Sequence, residues 1–290
     1  MAVISKRTEK ITINDPEYPE LLKTIENPPR ELYYRGNLSI CDNPCLAIVG
    51  SRKATPYGRW AAYNIAKRVS EHGVTVVSGL ASGIDACGHI GALDAGGKTI
   101  AVLGCGPDVY YPRTNRDLMK KIGCDGLIIT EYPSGTAPVS WQFPARNRII
   151  SGLSYGVLVV EADLHSGSLI TAGRALEQGR EVFAVPGNIN CIYSRGTNKL
   201  IQDGATPLTE IDDILDFLNI RHIKAKKNDG IHLGKDEENI LRVLNENGTV
   251  TIDRLCLISG KKPQEVGGII TILEIKGKVK VSMGKIHVAK

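Results

Sequence analysis

The sequence contains no apolar run of about 18 residues, the length that a membrane-spanning helix requires. Its N-terminal segment is polar and charged where a secretory signal has an apolar core. We therefore expect a cytoplasmic protein that does not insert into membranes. The 7 cysteines are scattered and include no Cys-x-x-Cys pair, so neither a disulfide framework nor a zinc site is expected. Aromatic residues are also scarce, at 5% of the chain.

Two common nucleotide-binding signatures are missing. No Gly-x-x-x-x-Gly-Lys-Ser/Thr loop is present, and residues 50–54 do not supply the Gly-x-Gly-x-x-Gly pattern of dinucleotide-binding folds. His165 stands beside serines, but adjacency in sequence does not make a nucleophile and base. Asp85 is more simply interpreted as a helix cap, and Glu161 as a loop-ordering acceptor. We therefore expect no enzyme activity, cofactor or metal.

The net charge of +5 is modest and unevenly distributed. Residues 41–218 carry 16 basic and 17 acidic groups, whereas residues 219–234 carry 4 and 1, and residues 235–290 carry 10 and 7. The basic excess thus lies toward the C-terminus. If the central part of the chain binds a polyanion, it must do so through locally clustered cations.

From residue 45 onward, short β-branched runs alternate with helical stretches. This alternation predicts an α/β fold of residues 41–218, a Rossmann-like, mostly parallel sheet with helices on both faces. The predicted strands are Leu46–Val49, Val74–Val77, Thr99–Leu103, Leu127–Thr130, Val157–Val160 and Val182–Val185. The predicted helices are Tyr57–His72, Asp85–Ala95, Asn115–Ile122, Arg146–Leu153 and Ser168–Gln178.

The flanking segments carry weaker signals. Residues 1–40 are interrupted by prolines and predict an N-terminal extension with a short helix over Glu17–Ile25 and an extended piece over Leu32–Arg35. Residues 219–234 predict a basic linker, and residues 235–290 a small winged-helix domain of three helices and a hairpin around Met283-Gly284. Because its third helix has no basic residue before Lys276, we favour protein contact or packing over base readout for it.

Glycine, hydroxyl and amide groups follow nearly every predicted strand. In parallel sheets these strand ends meet at one edge, where ligands bind. Arg52 follows a Gly-Ser turn and can grip a phosphate with two hydrogen bonds. The segment 166–168 precedes a helix and can offer N–H groups and hydroxyls to an anion, with Thr171 on the same helix. Lys199 follows another glycine-led helix start. Together these features predict a cradle for phosphates.

Residues 142–153 add an aromatic ring and two arginines to this cradle. Phe143 lies outside any periodic apolar run, so it is either a core plug or a platform on which a base stacks. Its neighbours Arg146 and Arg148 favour stacking. Arg148 is as readily explained as a helix anchor, and we leave it out of the predicted site.

Five ordered blocks of the sequence occur at these strand ends and helix starts: Gly50-Ser51-Arg52, Ser78-Gly79-Leu80-Ala81-Ser82-Gly83-Ile84-Asp85, Phe143-Pro144-Ala145-Arg146-Asn147-Arg148-Ile149-Ile150, Ser166-Gly167-Ser168-Leu169-Ile170-Thr171-Ala172 and Gly196-Thr197-Asn198-Lys199-Leu200-Ile201. Together they resemble the DNA-processing protein DprA (Smf) family, over residues 18–218. The C-terminal winged helix also fits the family, less specifically. Some members carry an N-terminal sterile-alpha-motif domain, for which residues 1–40 leave no room.

The resemblance implies a non-enzymatic protein that binds and protects single-stranded DNA, forms a homodimer, and loads RecA recombinase during natural transformation and recombination. By motif, Ser51 and Arg52 would hold backbone phosphate and Phe143 would contact a base. The DNA-binding residues expected in full are Ser51, Arg52, Gln142, Phe143, Arg146, Asn147, Ser166, Gly167, Ser168, Thr171 and Lys199. The alternative is a nucleotide-binding enzyme or sensor that uses the same phosphate cradle.

Overall fold

The computed structural model of the chain describes residues 7–220, 234–276, 278–282 and 285–288. The chain divides into two compact units, Met1–His222 and Ile223–Lys290. Most of the predicted linker, residues 221–233, lies outside the described residues, as do Met283 and Gly284 of the predicted hairpin turn.

The described part of the larger unit forms a nine-stranded sheet in the order β1-β2-β6-β5-β4-β3-β7-β8-β9. Strands β3 to β9 run parallel, while β2 is antiparallel to both β6 and β1. The strands are β1 Glu9–Thr12, β2 Glu31–Gly36, β3 Cys45–Val49, β4 Thr75–Ser78, β5 Thr99–Val102, β6 Leu127–Thr130, β7 Gly156–Val159, β8 Glu181–Ala184 and β9 Thr206–Pro207.

Helices cover both faces of this sheet. They are α1 Glu20–Lys23, α2 Pro56–Glu71, α3 Ile84–Asp94, α4 Arg116–Asp125, α5 Gln142–Gly152, α6 Gly167–Glu177, α7 Arg195–Gln202 and α8 Asp212–Phe217. Alternate residues of each strand point to opposite faces, so β3 buries Ala47 in a core with α5 and α6 and Ile48 in a core with α2 and α3. The predicted α/β class with a mostly parallel, doubly covered sheet is confirmed.

The continuous apolar runs that predicted the strands have a physical basis. Every residue of β3 through β7 is buried, because both faces of the sheet are covered by helices. The sheet therefore shows little of the polar alternation that marks a half-exposed strand. The structure agrees with the predicted positions of the central strands to within about one or two residues.

Three local predictions differ from the structure. The predicted extension, residues 1–40, joins the sheet through β1 and β2, of which β2 covers the predicted extended piece Leu32–Arg35 and places Tyr33 opposite Thr130 of β6. The predicted helix at Glu17–Ile25 is a single turn, Glu20–Lys23, because prolines surround it. Helix α5 begins at Gln142 rather than Arg146, since Pro144 occupies the first turn, where a missing backbone N–H costs nothing.

The smaller unit has its own core. Its elements are α9 Lys235–Asn247, β10 Val250–Thr251, α10 Ile252–Ser259, α11 Pro263–Ile275, β11 Val279–Ser282 and β12 Lys285–Val288. Thr251 caps α10 by accepting from the Arg254 N–H, and Gly260 ends the helix in the left-handed conformation. Leu255, Val266 and Leu273 pack the helices together. Three helices and a small sheet support the winged-helix class, which stays a prediction.

Candidate functional site

The sheet order places a crevice at the ends of β3 and β7. The chain leaves β3 toward β4, β5 and β6 on one side and returns to β7 on the other. The helices that follow these two strands, α2 and α6, pack on opposite faces of the sheet. Their connecting loops therefore diverge and open a cleft of about 410 Å³.

Nine of the eleven predicted site residues line this cleft, although they come from three separate segments of the chain. They are Ser51, Arg52, Phe143, Arg146, Asn147, Ser166, Gly167, Ser168 and Thr171. Whether they contact a ligand stays a prediction. The topology explains their convergence, since residues far apart in sequence meet at the carboxyl edge of a parallel sheet.

The backbone of the loop after β3 is fixed by hydrogen bonds, and the loop exposes the Arg52 side chain to solvent. The Ser51 N–H donates to the Glu161 carbonyl at 2.7 Å, and the Ser51 hydroxyl accepts from the Lys53 N–H. Gly50 is required by close packing, because a Cβ there would lie 2.7 Å from Ile84. The exposed Arg52 side chain is thus carried by a fixed backbone.

The Glu161 carboxylate orders the start of α2. It accepts from the Thr55 N–H at 2.9 Å and from the Thr55 hydroxyl at 2.5 Å. A Cβ at Gly58 would lie 2.3 Å from the same carboxylate, so α2 starts directly against it. Glu161 is buried and fixes the loop between β3 and α2, as the loop-acceptor interpretation expects.

Arg146 is 4% exposed and lies at the bottom of the cleft. Its Nη1 donates to the Gly79 carbonyl at 2.9 Å and also to the Val102 carbonyl, so it ties the ends of β4 and β5 together. A Cβ at Gly79 would lie 2.5 Å from this guanidinium. Burial lowers the pKa of Arg146 to about 10, against the opposing effect of Asp85, and the side chain is cationic at neutral pH.

Asp85 lies beside Arg146 and holds the loop after β4. Its carboxylate accepts from the Gly79 N–H at 3.1 Å and the Ala81 N–H at 3.3 Å. Burial raises the pKa of Asp85, while Arg146 and these backbone donors act in the opposite direction. The predicted helix cap is therefore a loop brace instead. We call Asp85 and Arg146 the floor of the cleft.

The charge of Arg146 in the floor affects the pKa of a buried histidine on α3, His89. The His89 Nδ1 lies 2.7 Å from the Thr99 hydroxyl, which donates its proton to the Val76 carbonyl. Nδ1 must therefore be the donor to Thr99, and Nε2 lacks both a proton and a hydrogen-bond partner among the described residues. Burial first, then the charge of Arg146, lowers the pKa of His89 to about 3.

Phe143 is half-buried and forms part of the cleft rim. Its ring packs against Gly104 and lies 5.2 Å from the Tyr111 ring, centroid to centroid. The Arg52 guanidinium lies 5.8 Å from the Phe143 centroid. We call Arg52, Lys53 and Phe143 the outer wall of the cleft. An aromatic face and two cations are thus presented side by side.

The opposite side of the cleft is the N-terminus of α6. The Ser166 hydroxyl accepts from the Ser168 N–H at 3.4 Å and lies 2.8 Å from the Ser168 hydroxyl. Asn147 of α5 donates its side-chain N–H to the Gly167 carbonyl at 3.3 Å, joining the two helices. Backbone N–H groups and hydroxyls at a helix N-terminus favour an anion.

Two predicted site residues do not line the cleft. The Gln142 side chain is buried and accepts from the Val139 N–H at 2.8 Å, so it shapes the turn before α5. Lys199 points to solvent on α7 and pairs with Asp203 at 2.7 Å. Its four-residue spacing from Asp203 within a helix is a sequence signal for this pairing.

Nine residues outside the prediction also line the cleft: Val49, Gly50, Lys53, Ala81, Asp85, Pro144, Ile150, Ile170 and Tyr193. Lys53 directly follows Arg52, so its position in the sequence was a usable signal. Tyr193 belongs to a short 3-10 turn, and its carbonyl accepts from the Ala162 N–H at 2.7 Å, which docks the turn on the end of β7. No pattern in the sequence marks that docking.

The fold and cleft define a class: a doubly wound α/β protein with a crevice at the switch point of its sheet, lined by arginines, hydroxyl groups and an aromatic rim. The model of the family described as DNA recombination-mediator protein A matches residues 9–219. The chain belongs to this family, and the resemblance seen in the sequence is confirmed.

Relatives and solved structures agree with this assignment. The DNA processing protein DprA of Streptococcus pneumoniae is 46% identical over 217 residues, covering 74% of this chain and 77% of that protein. Its X-ray structure matches with a TM-score of 0.70 at 45% identity, over 73% of this chain and 75% of that one.

A second solved structure comes from a study of the single-stranded DNA binding mode of Helicobacter pylori DNA processing protein A. It matches with a TM-score of 0.66 at 32% identity, over 73% of this chain and 96% of that one. In the parts of this chain that the structure describes, no helix is both long and apolar enough to span a bilayer.

Proposed function

We propose that the larger unit binds single-stranded DNA in the cleft and holds it without catalysing a reaction. The observation that carries this proposal is the outer wall, where the Arg52 guanidinium lies 5.8 Å from the centroid of the half-buried Phe143 ring. A phosphate grip and a stacking surface side by side suit one nucleotide of a strand. Stacking accepts any base, so the binding is independent of sequence.

The cleft suits an unpaired strand better than a duplex. A base must leave its stack to lie on the Phe143 ring, and only a single strand permits this at low cost. The N-terminus of α6, with Ser166 and Ser168, lies across the cleft from Arg52 and supplies a second anion contact. The related Helicobacter pylori protein, whose structural study concerns single-stranded DNA, supports the same conclusion.

The wider role follows from the family. We infer that the protein acts as a homodimer in the cytoplasm and loads RecA recombinase onto DNA taken up in natural transformation. The family description as a recombination mediator and the relatives named for DNA processing support this role. RecA filaments should form faster on single-stranded DNA to which this protein is bound than on the same DNA without it.

The smaller unit has a different character. Helix α11 exposes Gln264, Glu265 and Thr271, and its C-terminal Lys276 pairs with Glu237 at 2.6 Å. A helix without basic residues on its exposed positions is poorly suited to the major groove. We therefore assign this unit to protein contacts rather than to base readout.

A second candidate function is binding or turnover of a mononucleotide. The volume of the cleft, about 410 Å³, lies within the usual range for small-ligand pockets. The floor carries a carboxylate, but Asp85 is committed to two backbone N–H groups and Arg146 to two carbonyls. This commitment leaves neither group available as an acid or base.

A competition experiment tests the proposal. A labelled thymidine oligonucleotide is bound at low salt and challenged with unlabelled single strand, duplex or thymidine monophosphate. We expect only the single strand to compete at comparable concentration, and binding to weaken as salt rises because phosphates are neutralised. Absence of single-strand binding at low salt would refute the proposal. Efficient competition or turnover of the mononucleotide would favour the second candidate.

A further inference from the structure

The first two turns of α2 carry two aromatic rings that do not line the cleft. Tyr57 is 54% exposed and Trp60 is 61% exposed. Their ring centroids lie 6.1 Å apart and their planes are inclined by 26°, which is a stacked arrangement. Large rings are costly to leave in water, and this chain has few of them.

These rings are not needed by the core. Helix α2 packs on the sheet through its opposite side, with Ala61, Ala62 and Ile65 buried. Tyr57 and Trp60 are spaced three residues apart and therefore share one outward face of the helix. Their stacking leaves a continuous aromatic surface open to solvent.

The aromatic surface lies next to the cleft. Lys53 lines the cleft, and Tyr57 follows four residues later, so their Cα atoms are at most about 15 Å apart. The intervening turn is fixed, because Thr55 caps α2 and is itself held by Glu161. A strand that leaves the cleft past Lys53 therefore reaches a platform in a defined position.

The charge around this platform is positive. Arg52, Lys53 and Arg59 are exposed, and the sequence contains no acidic residue between Gly50 and Ser70. Basic residues interleaved with aromatic rings are the combination that binds single strands: the cations follow the phosphates and the rings stack the bases.

We propose that Tyr57 and Trp60 form a second base-stacking platform, which extends the single-strand-binding surface beyond the cleft. This inference rests on the proposed function of the cleft. Its occupant is the next stretch of the same strand, with bases on the rings and phosphates near Lys53 and Arg59. Short oligonucleotides that fill only the cleft do not reach the platform, whereas longer ones do.

Tryptophan fluorescence gives a direct test. The chain has 2 tryptophans, Trp60 and Trp141, so Trp141→Phe leaves Trp60 as the single reporter. An oligonucleotide of about 20 nucleotides should quench Trp60, and one of about 4 nucleotides should bind without doing so. In the matched Trp60→Phe protein, Trp141, which is 62% exposed, should respond to neither. Quenching of Trp141 alone would overturn the proposal.

Affinity gives a second test. We expect Tyr57→Ala and Trp60→Ala to weaken binding of the longer oligonucleotide about tenfold each and to leave the shorter one unchanged. Trp60→Phe should retain most of the affinity, because it keeps a stacking ring. Unchanged affinity of the alanine variants at both lengths would refute the platform while leaving the cleft intact. If the unmodified protein bound no single strand, both proposals would fail.

Discussion

The outer wall and the floor of the cleft use the same residue types for different purposes. Arg52 in the wall is exposed and lies beside the half-buried Phe143. Arg146 in the floor is buried, donates to two backbone carbonyls and faces Asp85. Under the proposed function Arg52 holds the ligand, whereas Arg146 holds the loops that surround the cleft. Burial and hydrogen bonding, rather than the motif, separate the two roles.

The largest expected effect is on the floor. Arg146→Ala should lower the free energy of unfolding by about 3 kcal/mol, because it leaves two buried carbonyls and the Asp85 carboxylate without their partner. Denaturant unfolding followed by tryptophan fluorescence reports on this unit, since Trp60 and Trp141 both lie in it.

The control is Arg174→Ala, which removes an exposed ion pair with Glu177 and should cost less than about 1 kcal/mol. Loss of DNA binding by Arg146→Ala with unchanged stability would contradict a structural role. In that case the division between wall and floor would be wrong.

The next effect is a pH dependence. The folded-state pKa of His89 is lowered to about 3, below its unfolded value of about 6.5. The stability it contributes is therefore complete above pH 6.5 and is lost as the pH falls, by about 1.4 kcal/mol per unit. His89→Gln should flatten this part of the profile between about pH 6 and 4. Replacement of the exposed His165 by Gln should not flatten the profile of stability against pH. Equal profiles for the His89→Gln and His165→Gln variants would exclude His89 as the cause.

In the outer wall, Arg52→Ala should weaken single-strand binding by about 2 kcal/mol without measurable loss of stability. The slope of log affinity against log salt concentration should become shallower by the amount that corresponds to about one phosphate contact. Arg52→Lys should recover only part of the affinity, because lysine keeps the charge without the two-pronged hydrogen-bond geometry. If Arg52→Ala shifted the unfolding transition as far as Arg146→Ala does, Arg52 would have a structural role like that of Arg146.

Phe143→Ala should weaken binding by about 1.5 kcal/mol with little change in salt dependence, because a base loses its stacking partner while the phosphates keep theirs. Phe143→Leu is the matched control for packing against Gly104, since it keeps apolar bulk without an aromatic face. If the leucine variant bound as well as the unmodified protein, stacking would not be the role of the ring.

The smallest effect is expected at Lys199. Because its side chain pairs with Asp203 on α7 and does not line the cleft, Lys199→Ala should change the affinity less than about twofold. The measurement is the same binding titration, beside Arg52→Ala. A loss comparable with that of Arg52→Ala would show that the strand extends over α7.

The central sheet was predictable because burial on both faces gives continuous apolar runs, which identified strands β3 to β8. Strand β2 covers the predicted extended piece Leu32–Arg35, whereas the edge strand β1 was not predicted, since it is short and only partly buried. Their pairing, β1 with β2 and β2 with β6, is set by tertiary contact rather than by local pattern.

The sequence predicted which strand ends and residues form the site, but it did not predict what each side chain contacts there. The sequence placed Arg52 and Arg146 in one cradle, yet it carries no signal that Val102 and Gly79 would accept from Arg146. Tyr193 was missed because its place depends on a loop docking against β7. Such contacts between distant segments become visible only in three dimensions.

The pairing of β3 with β7 has a consequence for the nascent chain. Leu46 lies opposite Gly156, so the two halves of the cleft belong to strands with three β-strands inserted between them in sequence. Because the paired strands are far apart in sequence, their pairing must overcome a large loop-closure entropy, and we expect it to form late in folding. During synthesis the site cannot be complete until α6 has emerged from the ribosome. Before that point the chain lacks the helix N-terminus that forms one side of the cleft.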